Sequence, residues 1–507
     1  MKRLLSKDHL ILYLLTSSIF VLFLFNQYSS VLADPDSFYH MKMAQLLLDQ
    51  GIIKDFIWLP YTTLSEHFVN QHLLFHVLLA PFVTWGNPFL GVKLFTALLG
   101  TTAIISIALL LRSLKLRWWL LATVILTLTV TFTFRLNLVK ASPLSMILLC
   151  VVIWCLIKKR NWLLAVTSMV FVWSYGGFFL VIPVVCIWII ANAKKALWKK
   201  PGIFKNLIIL IRPLLAACGG IIIGLLFNPY FPDNLYFYWE QVVQIGIINY
   251  GDSIGVGGEW YSYYPHELFI GSLWLTFIFG GALFFKIINR LKWKELDWFV
   301  LGLSIFGMLL TFKSRRYVEY FGPFTILAAA TWLNELKTDS LKRLIKSDMP
   351  LRKMVMCLLL TAFLVISVVP IILHDSITNA SDVREGYSIT QYKDASEWLS
   401  INAVPGSNVM HSDWDDFPML FYYNSNVNYM AGLDPTFMYR YNEDLYWMWV
   451  EITLGTYKGD LGDALSKLNV KYIFIESNHT EMYNLFNEYK KVKLIYTDEE
   501  ADIFVVL

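Results

Sequence analysis

Long apolar segments recur along the whole chain and constrain its fold more than any other feature. A helix needs roughly 20 apolar residues to cross a bilayer. Charged residues make up only 16% of this chain, whereas soluble proteins of this kind of length contain about 25%. The chain is therefore predicted to be a polytopic α-helical membrane protein. The clearest apolar segments are residues 10–25, 98–111, 144–157, 207–227 and 355–373.

Basic residues at the junctions between apolar segments indicate the orientation of the chain. Lysine and arginine collect in cytoplasmic loops, and here they precede the first segment and recur at every second junction. The pattern predicts about eleven spans, a cytoplasmic N-terminus and an extracytoplasmic C-terminal segment. A signal peptide cleaved after Ala33 is the alternative for the first span. The spans are predicted near residues 10–32, 88–111, 117–134, 142–157, 162–175, 177–191, 206–227, 267–288, 297–312, 318–334 and 354–373.

The predicted topology divides the chain into two domains. Residues 1–374 form a transmembrane domain with two large outer loops, 33–87 and 228–266. Residues 375–507 are more polar, and their helix-like and strand-like stretches alternate, which predicts an extracytoplasmic α/β domain. All five cysteines precede this domain, so disulfides are not expected to stabilise it. Its strands are predicted at 408–411, 471–475, 492–496 and 502–506, and its helices at 392–399, 461–468 and 481–489.

No motif in the sequence is typical of nucleotide binding. The chain has no glycine-rich phosphate loop and no dinucleotide-binding fingerprint, so no nucleotide cofactor is expected. Its formal charge of +4 is small for a chain of 507 residues, and no nucleic-acid partner is predicted. The polar residues collect in the outer segments, where soluble nucleotide-activated donors are not expected. An enzyme there needs a donor that arrives in the membrane, such as a sugar linked to a polyprenyl phosphate.

Two short segments of the chain are distinctive. They are Asp36-Ser37-Phe38-Tyr39-His40-Met41-Lys42 after the first span and Ser412-Asp413-Trp414-Asp415-Asp416-Phe417 at the start of the outer domain. The first is similar to the Asp-Pro-Tyr-Tyr-His-Leu-Arg motif of archaeal oligosaccharyltransferase catalytic subunits, which are GT-C glycosyltransferases. The second lies where that family has a Trp-Trp-Asp-Tyr-Gly motif. The architecture of many spans and an outer C-terminal domain is similar as well.

The resemblance implies roles for several residues of the two motifs. Asp36 matches the family's catalytic carboxylate, which engages the acceptor nucleophile directly or through a metal. Asp34 is a candidate for sharing a divalent cation, Mg²⁺ or Mn²⁺, with Asp36, because such ions prefer oxygen ligands. Tyr39 and His40 are expected near the acceptor. The alternative is that both acids belong to an exposed turn, where an Asp-Pro pair is ordinary.

The second motif and the large outer loop add candidates that contact the acceptor. Trp414 and Asp415 occupy the position of the family's tryptophan motif, but the motif is degenerate here. Because that motif reads the hydroxyl of the acceptor sequon in the family, its loss puts transfer to asparagine in doubt. Glu259, a candidate catalytic residue, lies between glycines and tryptophan in the loop 228–266, where the family has a mobile loop with a glutamate that contacts the acceptor or the metal. A solvated loop acid is the alternative for Glu259.

Three basic residues are candidates for binding the donor phosphate. The family supplies a second acidic pair from the next outer loop, but the segment 135–140 contains no acid and ends in Lys140. A cation at this point could balance phosphate charge in place of a metal. Arg315 and Arg316 lie at the outer end of a span, where basic residues are disfavoured, and guanidinium binds phosphate through two parallel hydrogen bonds. Snorkelling or pairing with Glu319 is the alternative.

The predicted function is transfer of a sugar or oligosaccharide from a polyprenyl-phosphate-linked donor on the outer face. The acceptor is a protein, a lipid or a polysaccharide, and the degenerate tryptophan motif favours the last two. A transporter or flippase of lipid-linked sugars is the alternative of another class, although such proteins usually have repeated halves and sites at the membrane midplane. His72 and His76, four residues apart, lack a third zinc ligand in the sequence. They are expected on an interfacial helix over 70–83.

Overall fold

The computed structural model describes residues 7–197, 203–336, 374 and 377–507, and most of residues 7–336 form helices. The N-terminal helices are numbered in chain order. They are α1 (Lys7–Asn26), α2 (Asp36–Gln50), α3 (Leu64–His67), α4 (Leu73–Val83), α5 (Pro88–Ser113), α6 (Trp119–Thr127), α7 (Val130–Leu136), α8 (Ser142–Lys158), α9 (Asn161–Ser174), α10 (Val181–Leu197), α11 (Ile203–Leu226), α12 (Asp233–Trp239), α13 (Pro265–Gly271), α14 (Leu273–Ile288), α15 (Glu295–Lys313) and α16 (Val318–Leu333).

Several of these helices are long and apolar enough to cross a membrane. Within the described residues five qualify, and up to seven do so if each of two bent pairs is one span. The ten spans predicted before residue 335 each coincide with a helix or a bent pair. The predicted count of about eleven is not confirmed, because α8 and α9 are shorter than a full span. The last predicted span, 354–373, and Cys357 lie outside the described residues.

The bend between α6 and α7 matters most for the position of the site. The two helices meet at 77°, and Thr129 between them has an extended backbone. The hydroxyl of Thr133 donates to the carbonyl oxygen of Thr127 at 2.7 Å, which satisfies a backbone acceptor that the break would otherwise leave free. After the bend, α7 is short and ends at Leu136, and the chain then turns back to start α8. The turn carries Lys140 to the end of the helical bundle.

A five-stranded sheet forms the core of the C-terminal region. Its strand order is β4-β3-β5-β7-β6, with β3 parallel to β4 and β5, and β7 antiparallel to β5 and β6. The predicted strands are present, whereas three helices between residues 417 and 453 were not predicted. The strands are β3 (Asn408–His411), β4 (Asn428–Tyr429), β5 (Val470–Glu476), β6 (Val492–Thr497) and β7 (Ala501–Val506); the helices are α17 (Lys393–Asn402), α18 (Phe417–Tyr423), α19 (Thr436–Tyr441), α20 (Glu443–Thr453), α21 (Leu461–Lys467) and α22 (Thr480–Glu488).

The first long loop connects the helical bundle to the sheet region. Strand β1 (Val31–Leu32) pairs antiparallel with β2 (Tyr387–Ser388). The ring of Phe38 on α2 packs edge-on against Tyr422 of α18, with centroids 5.7 Å apart. The indole nitrogen of Trp58 donates to the Ser425 carbonyl at 2.8 Å. These contacts place the start of α2 at the junction of the two regions. The predicted domain boundary at 374/375 adjoins undescribed residues and stays a prediction.

Candidate active site

A cavity opens at this junction, and residues from distant parts of the chain line it. It encloses about 1210 Å³, including its open mouth. Its walls come from α2, the end of α7, the turn before α8, the turn after α9, the loop before α13 and the turn between α15 and α16. The sheet region adds Leu433, Asp434 and Phe437, none of which was predicted. Of the predicted site residues, the cavity brings together Asp36, Tyr39, His40, Lys140, Glu259 and Arg316.

Asp36 is the first residue of α2. Its backbone N–H donates to Asp34 Oδ1 at 2.9 Å, a short-range bond that caps the start of the helix. The side chain of Asp36 is 32% exposed, so it is neither an ordinary turn acid in water nor fully enclosed. Burial raises its pKa to about 6, with further raising by Asp34 and Glu259 and opposition from Lys140. A carboxylate with this pKa is suited to accept a proton near neutral pH.

Lys140 binds three carboxylates at once. Its Nζ lies 3.0 Å from Asp34 Oδ2, 3.1 Å from Asp36 Oδ2 and 3.3 Å from Glu259 Oε2. Burial alone would lower the pKa of Lys140, but the three carboxylates outweigh it and the pKa is raised. The ammonium is therefore charged, and it lies between the acids that were expected to share a metal.

The predicted metal site at Asp34 and Asp36 does not match the arrangement of the side chains. In the described parts of the chain, no three His, Cys, Asp or Glu side chains are grouped to hold a metal ion. Both aspartates direct their Oδ2 atoms to the ammonium of Lys140. A divalent cation between them would face that ammonium and be repelled by it. The donor set as arranged here fits a lysine and not a resident Mg²⁺ or Mn²⁺.

The carboxylate of Glu259 is surrounded by the positively charged side chains of the cavity. Its Oε2 lies 2.7 Å from Arg135 Nη1, and its Oε1 lies 3.5 Å from Arg316 Nη2. Burial raises the pKa of Glu259, but Arg316, Lys140 and Arg135 together hold it well below the usual range. Arg135 also pairs with Glu319, with Nε and Oε2 3.5 Å apart. Sequence reasoning missed Arg135, although an arginine inside an apolar segment signals a functional site by default.

The two neighbouring arginines have different surroundings. The guanidinium of Arg316 stacks over the ring of Trp260 at 4.2 Å and donates to the Tyr175 hydroxyl at 3.3 Å. Arg315 is not among the residues lining the cavity. Its Nη2 pairs with Glu267 Oε2 at 3.3 Å, and its Nε donates to a loop carbonyl. The local contacts therefore favour Arg316 and leave Arg315 with a structural contact on the loop.

A chain of hydrogen bonds lies behind His40. Its Nδ1 is 2.8 Å from His76 Nε2, and His76 Nδ1 is 2.8 Å from Asn70 Oδ1. Because Asn70 Oδ1 is an acceptor that also takes the N–H of His72, we assign His76 as donor to it and His40 as donor to His76. This assignment leaves Nε2 of His40 as its hydrogen-bond acceptor. Burial, with His76, His72 and Lys140, lowers the pKa of His40, so the ring is neutral.

The helix predicted over 70–83 is present as α4, which begins at Leu73 and therefore contains His76 but not His72. Val77 and Leu78 are exposed, whereas His76 is fully buried against His40. His76 thus lies on the inner face of α4, and the interfacial position of this helix stays a prediction. His72 lines the cavity, and its ring stacks on Tyr175 at 5.6 Å.

Trp414 and Asp415 lie near the cavity but do not line it. Their segment is a 3₁₀ turn, Trp414–Asp416, held by local bonds: Asp413 Oδ1 accepts from the N–H of Trp414 at 2.6 Å. Asp416 is buried, and its Oδ2 accepts from the Ser412 hydroxyl at 2.9 Å. A side chain at Gly257 would approach Trp414 to 3.5 Å. The motif thus packs against the loop that carries Glu259.

Comparison with solved structures reveals the fold. The archaeal oligosaccharyltransferase AglB from Archaeoglobus fulgidus, in complex with an inhibitory peptide and a dolichol-phosphate, matches with a TM-score of 0.62 at 14% identity. The match covers 91% of this chain and 69% of that one. The Archaeoglobus enzyme in complex with Zn and sulfate matches with a TM-score of 0.58 at 13% identity, over 91% and 68%.

A second kind of protein matches over nearly the whole chain. The arabinofuranosyltransferase AftD from Mycobacteria has a TM-score of 0.57 at 13% identity, and the match covers 99% of this chain but 40% of AftD. AglB and AftD are both GT-C glycosyltransferases, so the chain has the GT-C fold. In sequence, no family model and no curated protein matches it.

Proposed function

We propose that the protein is a membrane glycosyltransferase. It moves a sugar or oligosaccharide from a polyprenyl-phosphate-linked donor to an acceptor on the outer face. The observation that carries this proposal is the convergence of Asp36, Lys140, Glu259 and Arg316 on one cavity. These residues come from four separate segments of the chain, so their meeting requires the fold. The GT-C fold and the apolar helices support the same reaction class.

Asp36 is the proposed proton acceptor. The acceptor hydroxyl or amide attacks the anomeric carbon of the sugar, and its proton passes to the carboxylate of Asp36. The bond between that carbon and the phosphate oxygen breaks, and the electron pair leaves with the lipid phosphate. The raised pKa of Asp36, about 6, is high enough to hold the proton transiently and low enough to leave the acid ionised at neutral pH.

Arg316 and Lys140 are proposed to stabilise the leaving phosphate. A guanidinium offers two parallel donors to phosphate oxygens, and an ammonium adds a point charge. Arg135 lies against the same carboxylate as both of them and extends the positive surface. Arg315, predicted for the same role, is assigned instead to a structural contact with Glu267 outside the cavity.

The nature of the cation is also part of the proposal. The Archaeoglobus relative has been seen with Zn and sulfate, which supports a divalent cation in proteins of this fold. In this chain Lys140 binds the carboxylates that would hold one, and we assign it the role of the resident cation. Transfer that persists in excess EDTA supports this assignment. Transfer lost in EDTA and restored by Mn²⁺ contradicts it.

The acceptor is proposed to bind between α2 and the sheet region. Tyr39 and His40 of α2 line the cavity together with Asp434 and Phe437 of the sheet region. Trp414 and Asp415 support the adjoining loop and are proposed to shape the acceptor entrance. Since the tryptophan motif is degenerate, a lipid or polysaccharide acceptor is the second candidate. An arabinofuranosyltransferase among the matching structures is consistent with acceptors other than protein.

The orientation in the membrane follows the distribution of basic residues. We propose a cytoplasmic N-terminus and extracytoplasmic placement of the cavity and of residues 375–507. Within the described chain, the cavity lies at the end of the bundle that contacts the sheet region. Cysteine labelling from the two sides of sealed vesicles tests this topology. Labelling of the sheet region from the cytoplasmic side would contradict it.

Replacement of Asp36 by Asn tests the proposed chemistry. Asp36→Asn keeps the size of the side chain but removes the proton acceptor, so transfer in membranes supplied with a lipid-linked donor should fall at least 100-fold. Asp49→Asn is the matched control, because Asp49 lies exposed at the other end of α2. Transfer by the Asp36 variant near the wild-type rate would refute the assignment of Asp36. Donor translocation across liposomes without any transfer would favour the flippase alternative.

A further inference from the structure

The cations of the cavity surround an acid of the protein itself. Three basic side chains bind the single carboxylate of Glu259: Arg135 at 2.7 Å, Lys140 at 3.3 Å and Arg316 at 3.5 Å. Sequence reasoning placed Glu259 near the acceptor. Its actual partners are the groups proposed to bind the donor phosphate.

We infer that Arg135, Lys140 and Arg316 form one phosphate subsite, and that the carboxylate of Glu259 occupies this subsite until the donor phosphate displaces it. The inference rests on the proposed function for the identity of the phosphate, which belongs to a polyprenyl-linked sugar. It gives Glu259 the role of an internal competitor instead of an acceptor contact.

The distribution of contacts over the carboxylate resembles that expected for a phosphate. Oε2 accepts from Arg135 and Lys140, while Oε1 faces Arg316. A phosphodiester also presents two non-bridging oxygens and one negative charge, so it can take over the same three partners. Phosphate forms stronger paired hydrogen bonds with guanidinium than a single carboxylate oxygen does at 3.5 Å.

Arg135 has an unused donor at this point. Its side chain is only 8% exposed, and among the described residues its Nη2 has no hydrogen-bond partner. A buried donor without a partner is costly and is rarely left so in a native structure. The ester oxygens of a donor phosphodiester are additional acceptors beside its two non-bridging oxygens, and the carboxylate of Glu259 has no counterpart to them.

The charge balance explains why an internal ligand is present. When Glu259 leaves, Lys140 still forms ion pairs with Asp34 and Asp36, and Arg135 still forms an ion pair with Glu319. Arg316 has no other carboxylate partner among the ion pairs of the described chain. An uncompensated buried guanidinium is strongly unfavourable. Glu259 therefore covers Arg316 in the empty cavity, and the donor phosphate covers it in the complex.

Glu259 can leave without a movement of the whole loop. Its backbone is fixed, because the Ser314 hydroxyl donates to the Glu259 carbonyl at 2.7 Å and Asn249 donates to the Trp260 carbonyl at 3.0 Å. In the inferred exchange the side chain of Glu259 rotates about its three torsions and releases the cations, while Trp260 stays stacked on Arg316.

Binding of polyprenyl phosphate to the purified full chain tests the inference. Polyprenyl phosphate carries the headgroup but no sugar, so its binding is measured without transfer. Glu259→Gln keeps the shape and removes the competing charge, and its Kd should be at least tenfold lower than that of the wild type. Glu259→Asp shortens the carboxylate and should give an intermediate Kd. Glu267→Gln, which removes the partner of Arg315 outside the cavity, should leave the Kd within twofold.

The outcomes separate this inference from the proposed function. An unchanged or higher Kd for Glu259→Gln, in a protein whose unfolding temperature matches the wild type, overturns the internal-competitor role. If the variant instead unfolds early, the Kd of Glu259→Asp relative to the wild type decides the question in the same direction. If Glu259→Gln binds polyprenyl phosphate more tightly but the wild type transfers no sugar, the phosphate subsite is supported and the proposed transferase function is refuted. If the wild type transfers sugar but Glu259→Gln does not change the binding, the transferase function is supported and the internal-competitor role is refuted.

Discussion

Two buried lysines, Lys140 and Lys286, lie near opposite ends of the helices α15 and α16. Both bind carboxylates, but their surroundings differ. Lys140 lies near the turn between α15 and α16, where it binds three carboxylates. Lys286 lies at the other ends of α15 and α16, where it binds Asp297 and Glu335 at 2.9 Å each. Both ammonium groups are nearly removed from water, with side chains 12% and 0% exposed. Burial and ion pairing alone therefore do not distinguish them.

The difference lies in the cavity and in the number of competing charges. Lys286 is enclosed beneath the ring of Trp293, 5.8 Å from its centroid, and it links the end of α14 to the start of α15 and to the turn after α16. Lys140 lines an open cavity together with Arg316 and two of its own carboxylate partners. A buried ion pair can serve structural specificity only. Paired charges that face an empty volume large enough for a ligand indicate that one partner is exchangeable.

Replacing each lysine by methionine should show the largest difference between the two clusters. Both Lys140→Met and Lys286→Met leave carboxylates buried without their cation, at a cost of about 3–5 kcal/mol in the free energy of unfolding. Transfer per folded molecule should fall at least 100-fold for Lys140→Met, because the leaving phosphate loses a positive partner. It should stay within about threefold for Lys286→Met.

Thermal unfolding in detergent and transfer normalised to the folded fraction measure the two effects separately. A similar loss of normalised transfer in both variants would mean that Lys140 acts through the fold alone, and the distinction between the two clusters would not hold.

The pH dependence of kcat/KM tests the role of a single carboxylate bound to Lys140, that of Asp36. The pKa of Asp36 is raised to about 6, so the group is ionised above this pH and takes up a proton below it. Since the proposed base must be ionised, kcat/KM should fall about tenfold per pH unit below 6 and be flat above it. At pH 5 the expected loss is about tenfold. A profile that stays flat between pH 5 and 7 would contradict the role of Asp36, and Asp36→Asn should abolish the limb in any residual activity.

The smallest effect is expected when the guanidinium of Arg316 is replaced by another positively charged group. Arg316→Lys keeps the positive charge but loses the stacking on Trp260 and the fork that matches phosphate. Such stacking is worth about 1 kcal/mol, so kcat/KM for the donor should fall roughly fivefold. Arg315→Lys is the adjacent control and should change kcat/KM less than twofold. A larger effect for Arg315 would place that residue at the donor phosphate instead.

Much of the architecture was predictable from periodic and local signals. Apolar segments such as 88–111 and 142–157 coincide in position with the helices α5 and α8, because the length of an apolar run is a local property. Strand 408–411 was placed to the residue for the same reason. The helix α19 was missed, because it has only six residues and its buried Phe437 stacks on Phe237 of the distant α12, which leaves no local polar period.

The site was predictable only where a motif or a misplaced charge marked it. Asp36 and Lys140 carried such signals, and the structure brings them together. The roles assigned to Glu259 and Asp434 depend on contacts across more than 100 residues of chain, and those contacts leave no trace in either local segment. The difference between Arg315 and Arg316 arises from a 3₁₀ turn that points adjacent side chains in different directions, and sequence alone could not order them.

The pairing of β1 with β2 has a consequence for the biosynthesis of the protein. Val31 is joined to Ser388, so the segment bearing Asp36 is made long before the strand that fixes it. At about 5–20 residues per second, the intervening chain takes roughly 20–70 s to synthesise. During that interval the first motif is already outside the ribosome while the wall formed by Leu433, Asp434 and Phe437 does not yet exist. The cavity described above is therefore incomplete in any nascent or truncated chain that ends before residue 437.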